Sequence, residues 1–165
     1  DLLAVARLER REGAIETELE PTDLGALVAE AAAEFSGRAA AAGVRFETRV
    51  DAGLAAPLDR GLARRLLDNL IANALDFVKR GDRVELSARR DGGQLALAVR
   101  NDGPPVAPEV RAHLFERIAP GRARSARNAG LGLYFCRLVA EAHRGRIALE
   151  DDPAWPVSFV ARLPL

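Results

Sequence analysis

Three short stretches carry residue types that could do chemistry. In LLDNLIANALDFV, residues 66–78, the carboxamides of Asn69 and Asn73 stand one helical turn apart. On a helical wheel Leu66, Leu70, Asn73 and Phe77 fall within about 60° of one another, which predicts Asn73 in the middle of an apolar stripe. An unpaired amide there would cost about 1–3 kcal/mol, so it needs a partner. Backbone would serve, as for any buried asparagine; so would a hard cation such as Mg²⁺, which takes oxygen ligands. In NAGLGLYFCRLVAEAHRG, residues 128–145, Gly130 and Gly132 stand just before and within the first turn of a helix. Glycine lets a ligand approach the backbone, and the free amides of a helix start attract phosphate. An ordinary glycine-rich helix start has the same composition. The third stretch, VRNDGPPV at 99–106, runs a strand end into a polar turn. Alone it fits any tight turn.

These stretches need elements to hold them. Residues 1–11, with Leu2, Val5, Ala6 and Leu8, read as the end of an amphipathic helix broken at Gly13. Pro21 and Thr22 are predicted to open a helix to about Ala42, stopped by Gly43. VRFETRV, residues 44–50, alternates as a half-buried strand does. A helix over about 61–78 ends before Gly81, and strands at 84–90 and 94–100 flank the hairpin signal Asp91-Gly92-Gly93. A short helix is expected near 108–116. Residues 119–129 have no periodicity but carry Arg122, Arg124 and Arg127, with Arg117 just before them. A helix over 131–143 and strands at 146–150 and 157–163 complete the chain. The mixture predicts an α+β fold: a two-layer α/β sandwich whose mixed, mostly antiparallel sheet packs on three helices.

Composition narrows the partners. A chain of 165 residues suits one domain with a real core. Lys plus Arg and Asp plus Glu are equal at 24 each, so no bulk attraction to nucleic acid is expected. The one cysteine, Cys136, fits a reducing, cytoplasmic setting and reads as a small core residue. No apolar run approaches a membrane span. Methionine is absent even at position 1, which suggests a piece of a longer protein, with any membrane anchor in the missing part.

Order and spacing add what no single stretch provides. NLIANALDF, NDGPPV, HLFERI and AGLGLYFCRLVAEAHRGRI follow one another as the asparagine box, first glycine box, phenylalanine box and second glycine box of a known family. Residues 22–165 resemble the catalytic, ATP-binding domain of bacterial sensor histidine kinases, in the superfamily that includes gyrase and mismatch-repair ATPases. The resemblance implies a Bergerat-type ATP-binding fold preceded by the tail of a dimerisation helix at 1–12 and a linker at 13–21. It implies ATP and Mg²⁺ as cofactors, with Asn73 as the Mg²⁺-binding asparagine. Asn69 occupies the place where hydrolysing relatives carry a glutamate base. An amide cannot take a proton from water, which favours phosphoryl transfer over hydrolysis. Phe77 matches the aromatic against adenine, Gly130, Leu131 and Gly132 the segment facing the phosphates, and residues 119–129 a short mobile lid. The partners implied are a histidine-bearing dimerisation domain, homodimeric in the full-length protein, and a response regulator. Nucleic acid is not among them.

Several positions depart from the family pattern. Asn101, followed by Gly103, stands where an aspartate accepts from the adenine amine; Asn can accept the same bond uncharged, at a loss of roughly 1 kcal/mol. Pro105 replaces a glycine, Asn128 replaces the first glycine of the second box, and Asp76 puts an acid where many relatives carry a base. Arg122, Arg124 or Arg127 could replace a displaced lid arginine; a merely solvated basic loop reads the same way. His113 and His143 lack the context of a phospho-accepting helix and read as structural, so the phosphoryl acceptor is expected on another domain. Two other readings stand beside the kinase: a degenerate regulatory or phosphotransfer docking module, and a serine kinase of the anti-sigma type.

Overall fold

The structure is a computed structural model and describes residues 16–117 and 131–165. In chain order the elements are β1 (Glu20–Asp23), α1 (Leu24–Ala42), β2 (Arg45–Val50), β3 (Ala55–Leu58), α2 (Arg60–Phe77), β4 (Arg83–Asp91), β5 (Gln94–Asn101), α3 (Pro108–Arg111), α4 (Leu131–Ala142), β6 (Arg146–Leu149) and β7 (Val157–Pro164). The main sheet has the order β2-β4-β5-β7-β6, with β2 parallel to β4 and every other pair antiparallel. β1 and β3 form a separate antiparallel pair. Among the described residues, no helix is long and apolar enough to cross a membrane.

Local chemistry sets the boundaries. Asp23 caps α1 by accepting from the Ala26 N–H at 3.0 Å. The helix therefore starts at Leu24, and Pro21 and Thr22, expected to open it, lie in β1 instead. Gly43, at φ 67°, closes α1 in the left-handed conformation that favours glycine. Asp59 caps α2 in the same way, accepting from Leu62 N–H at 3.0 Å. Gly92 and Gly93, both at positive φ, turn β4 into β5.

One face of the sheet carries Leu86, Leu97, Val99, Phe159 and Ala161 onto the buried stripes of α1, α2 and α4. Each fully buried leucine contributes about 1.5–3 kcal/mol. The stripe of α2 is Ala63, Leu66, Leu67, Leu70, Ile71, Ala74 and Leu75. Asn73 lies beside it, half-buried, rather than in its middle. The other face of the sheet is polar: Arg100 spans Glu85, Ser87 and Asp152, and Arg162 spans Glu150 and Asp91.

Candidate nucleotide-binding site

The α2 helix presents Asn69, Asn73 and Phe77 along one row at a spacing of four residues, at the edge of its buried stripe. Asn69 donates from Nδ2 to the Arg65 carbonyl at 2.8 Å. A Cβ placed on Gly132 would stand 3.0 Å from Asn69 Oδ1. The first turn of α4 thus passes against this amide where it has no side chain. Among the described residues, no hydrogen bond engages the Asn73 carboxamide. Phe77 closes the row with 61% of its surface exposed, uncommon for an aromatic with a core close by.

The turn after β5 abuts the end of that row. Asn101 is 2% exposed, and its Oδ1 accepts from the Gly103 N–H at 2.9 Å. A Cβ on Gly103 would meet Asn101 Oδ1 at 2.7 Å and the Cβ and carbonyl of Phe77 at 3.4 Å. Glycine is therefore required by the Asn101 amide folded back over the turn, while the contact with Phe77 of α2 is an ordinary van der Waals one. Asp102 points elsewhere: its carboxylate accepts from the backbone N–H, Nε and Nη2 of Arg83 at 2.8–2.9 Å. Those bonds hold its carboxyl below the usual carboxylate range. Arg83 in turn lies 4.2 Å above the Trp155 ring. Asp102 therefore pins the turn from behind and leaves Asn101 facing α2.

Charge near the row is balanced. Asp76 pairs with Arg38 of α1 at 2.6 Å, with a quarter of its side chain exposed. Arg65 lies 4.8 Å over the Phe135 ring, tying α2 to α4. Leu131 is buried, and Cys136 directs its thiol at the Leu66 carbonyl, 3.6 Å away. Burial pushes that thiol well above its ordinary range, so it stays protonated and is no nucleophile. His143 is also spoken for: Nε2 accepts from the Asp59 N–H at 2.9 Å and Nδ1 donates to the Val139 carbonyl at 2.8 Å. Exposed His113 pairs with Glu116 at 2.9 Å.

The structure brings together Asn69, Asn73, Phe77, Asn101, Gly103 and Gly132, with Leu131 packed beneath. Arg122, Arg124, Arg127, Asn128 and Gly130, the expected lid at 119–129 and the expected dimerisation tail at 1–12 lie outside the described residues. So do the first three residues of the expected linker. Among the described residues, no cluster of three His, Cys, Asp or Glu side chains could hold a metal. A cation here must rely on few protein ligands, and the half-buried Asn73 carboxamide suits Mg²⁺, which keeps most of its shell as water and phosphate.

Two residues that shape the site, Arg83 and Arg38, lie outside the motifs of the sequence. Arg83 is legible from the Gly92-Gly93 turn, because the β4–β5 register that pairs Asp91 with Gln94 and Val84 with Asn101 sets Arg83 opposite Asp102. Arg38 gave no such signal: it meets Asp76 across 38 residues and two helices.

Comparison with known proteins gives a consistent result. Residues 58–165 match the family described as histidine kinase-, DNA gyrase B-, and HSP90-like ATPase. The sensor protein RstB of Escherichia coli K12 is 35% identical over 168 residues, covering 100% of this chain and 38% of RstB. The signal transduction histidine-protein kinase BaeS of the same organism is 31% identical over 157 residues, covering 93% of this chain and 34% of BaeS. The chain thus spans little more than a third of these relatives. Among solved structures, full-length ShkA in complex with AMPPNP superposes with a TM-score of 0.82 at 31% identity, over 99% of this chain and 34% of that one. The catalytic domain of the histidine kinase ThkA gives 0.79 at 24% identity, over 90% of this chain and 96% of that one, a likeness of fold.

Proposed function

This chain belongs to the histidine kinase-, DNA gyrase B-, and HSP90-like ATPase family, and from that premise we propose that it binds Mg-ATP and passes the γ-phosphoryl to a histidine on a separate dimerisation domain. The observation that carries this reading is the single row Asn69, Asn73, Phe77, faced by Gly132 on one side and by the Asn101–Gly103 turn on the other. Asn73 would hold Mg²⁺ through its carboxamide oxygen, and the ion would supply positive charge to the phosphate oxygens. Phe77 offers an exposed ring for the base to lie against. Gly130, Leu131 and Gly132 would let phosphates approach the start of α4, with Arg122, Arg124 and Arg127 as the cations that close over them.

Asn69 shapes the outcome by what it lacks. Its amide cannot take a proton from water, so the site favours transfer to a side chain over hydrolysis. Such transfer depends chiefly on positioning and charge neutralisation. The Asp76–Arg38 pair weighs against a degenerate module, because it offsets the negative charge that would oppose the triphosphate. The partners proposed are the histidine-bearing dimerisation domain, paired in a full-length homodimer, and a response regulator that takes the phosphoryl onward.

The test supplies this chain with γ-labelled ATP, Mg²⁺ and a separately produced dimerisation domain. Acid-labile label on that domain is the expected result. Label released only as inorganic phosphate would contradict it.

A further inference from the structure

β2 ends the main sheet: β4 pairs with one side of it, and no strand among the described residues pairs with the other. The Arg45 N–H donates to the Asp82 carbonyl at 2.9 Å and the Asp51 N–H to the Ala88 carbonyl at 3.0 Å. Along such a strand, residues that turn their N–H and C=O toward the neighbour alternate with residues that turn them away. Arg45, Glu47, Arg49 and Asp51 therefore bond toward β4, and the backbone groups of Phe46, Thr48 and Val50 face the open edge. The side chains alternate as well. Phe46 and Val50 are partly buried against the core, whereas Arg45, Glu47, Arg49 and Asp51 are exposed. Thr48 is also exposed, so the middle of the edge lies open.

The stretch RFETRVD, residues 45–51, is complementary to its own reverse. Laid antiparallel on a second copy with Thr48 opposite Thr48, Arg45 meets Asp51, Phe46 meets Val50 and Glu47 meets Arg49. The hydrogen-bonded positions of an antiparallel ladder are those where both residues turn their backbone groups to each other. In this register they are Phe46 with Val50 and Thr48 with Thr48, so every outward N–H and C=O of Phe46, Thr48 and Val50 finds a partner. The alternate positions, where side chains approach most closely, hold the Glu47–Arg49 pairs. Sliding one copy by one residue sets outward groups against inward ones. Sliding it by two sets Glu47 on Glu47 or Arg49 on Arg49, which repel. We propose that β2 is a self-recognition edge, through which two copies of this chain join about a two-fold axis into one continuous sheet. Arg49 already bonds Glu85 at 2.9 Å, and its guanidinium keeps donors for the Glu47 of the second copy. Charges on an edge strand ordinarily block pairing. Here their order blocks other strands and the wrong registers while admitting a second copy.

The test is sedimentation equilibrium of the intact 165-residue chain without nucleotide, from micromolar to millimolar concentration. A strand of 6 residues makes a small interface, so a reversible monomer–dimer equilibrium is expected in the upper part of that range, weakened by salt. Thr48→Pro removes the central outward N–H and spares the β4 ladder, as an edge strand allows. It should be monomeric, with a melting temperature close to that of the unaltered chain. Glu47→Arg and Arg49→Glu should each be monomeric alone, because each sets like charges against one another at the facing positions. Mixed, they should form a one-to-one dimer, since one then brings only cations to those positions and the other only anions. Should Arg49→Glu fail to fold for want of its Glu85 partner, the unaltered chain and Thr48→Pro still decide. A monomer at every concentration would leave the edge to a strand of another protein and overturn the proposal. A dimer undiminished in Thr48→Pro would lie elsewhere on the chain and overturn it too. So would two folded charge variants that do not pair when mixed.

Discussion

Oδ1 of Asn69 faces the bare α-carbon of Gly132 across the α2–α4 contact, where a methyl group on that carbon would stand 3.0 Å from the oxygen. That contact makes α4 part of the site. Gly132→Ala should raise the helix propensity of the first turn by about 1 kcal/mol while pressing the Asn69 amide toward Asn73. The expected outcome is a melting temperature that holds or rises, with several-fold weaker Mg-ATP binding. A variant that binds normally would show that the α2–α4 contact does not shape the nucleotide site.

The Arg38–Asp76 pair is partly exposed, so its direct worth to stability is about 0.2–1 kcal/mol. Its larger effect is expected on binding, because the Asp76 carboxylate lies one turn from Asn73. Arg38→Ala should weaken Mg-ATP several-fold, more so at low salt. Adding Asp76→Asn should restore most of the loss. Calorimetry at two ionic strengths measures both effects, and an affinity indifferent to Arg38 would contradict them.

Asp102 sets a pH dependence. Arg83 lowers its folded pKa, so the stabilisation is present in full above the unfolded carboxyl value and is lost as pH falls through the folded one. The window therefore opens below about pH 4. Asp102→Asn should cost about 1–3 kcal/mol at pH 7. Urea midpoints of the two proteins should converge as the pH is lowered through that window. Parallel curves would mean that the Arg83 pair contributes nothing to folding.

His143 locks the end of α4 onto the start of α2 by accepting from the Asp59 N–H. His143→Ala removes that acceptor and leaves a cavity, at an expected cost of about 2–4 kcal/mol. With both ring nitrogens engaged and the side chain buried, His143 should carry no phosphoryl group. Phosphohistidine mapped to His143 by mass spectrometry would overturn this assignment.

The elements legible in the sequence are those set by local chemistry. Asp91-Gly92-Gly93 announced the β4–β5 hairpin, and Gly43 announced the end of α1, because a positive φ has few solutions other than glycine. β1 and β3 were not legible. Each is four residues long, too short for a period, and they exist by pairing with each other across 31 intervening residues. Helical periodicity puts Asn73 in mid-stripe only if Phe77 belongs to the core. With Phe77 exposed and Ile71 and Ala74 buried, the true stripe rotates away and leaves the asparagines at its edge. That edge position is what leaves the Asn73 amide open to a ligand.

The most direct measurement of the central claim is calorimetric titration of the chain with ATP, with and without Mg²⁺, beside Asn73→Ala. The account predicts a saturable heat with Mg²⁺ in the unaltered chain. That heat should fall at least tenfold in affinity when Mg²⁺ is chelated or Asn73 is replaced, with the melting temperature of the free chain changed little. No heat at millimolar nucleotide would contradict ATP binding outright, and undiminished binding by Asn73→Ala would contradict the metal site assigned to it.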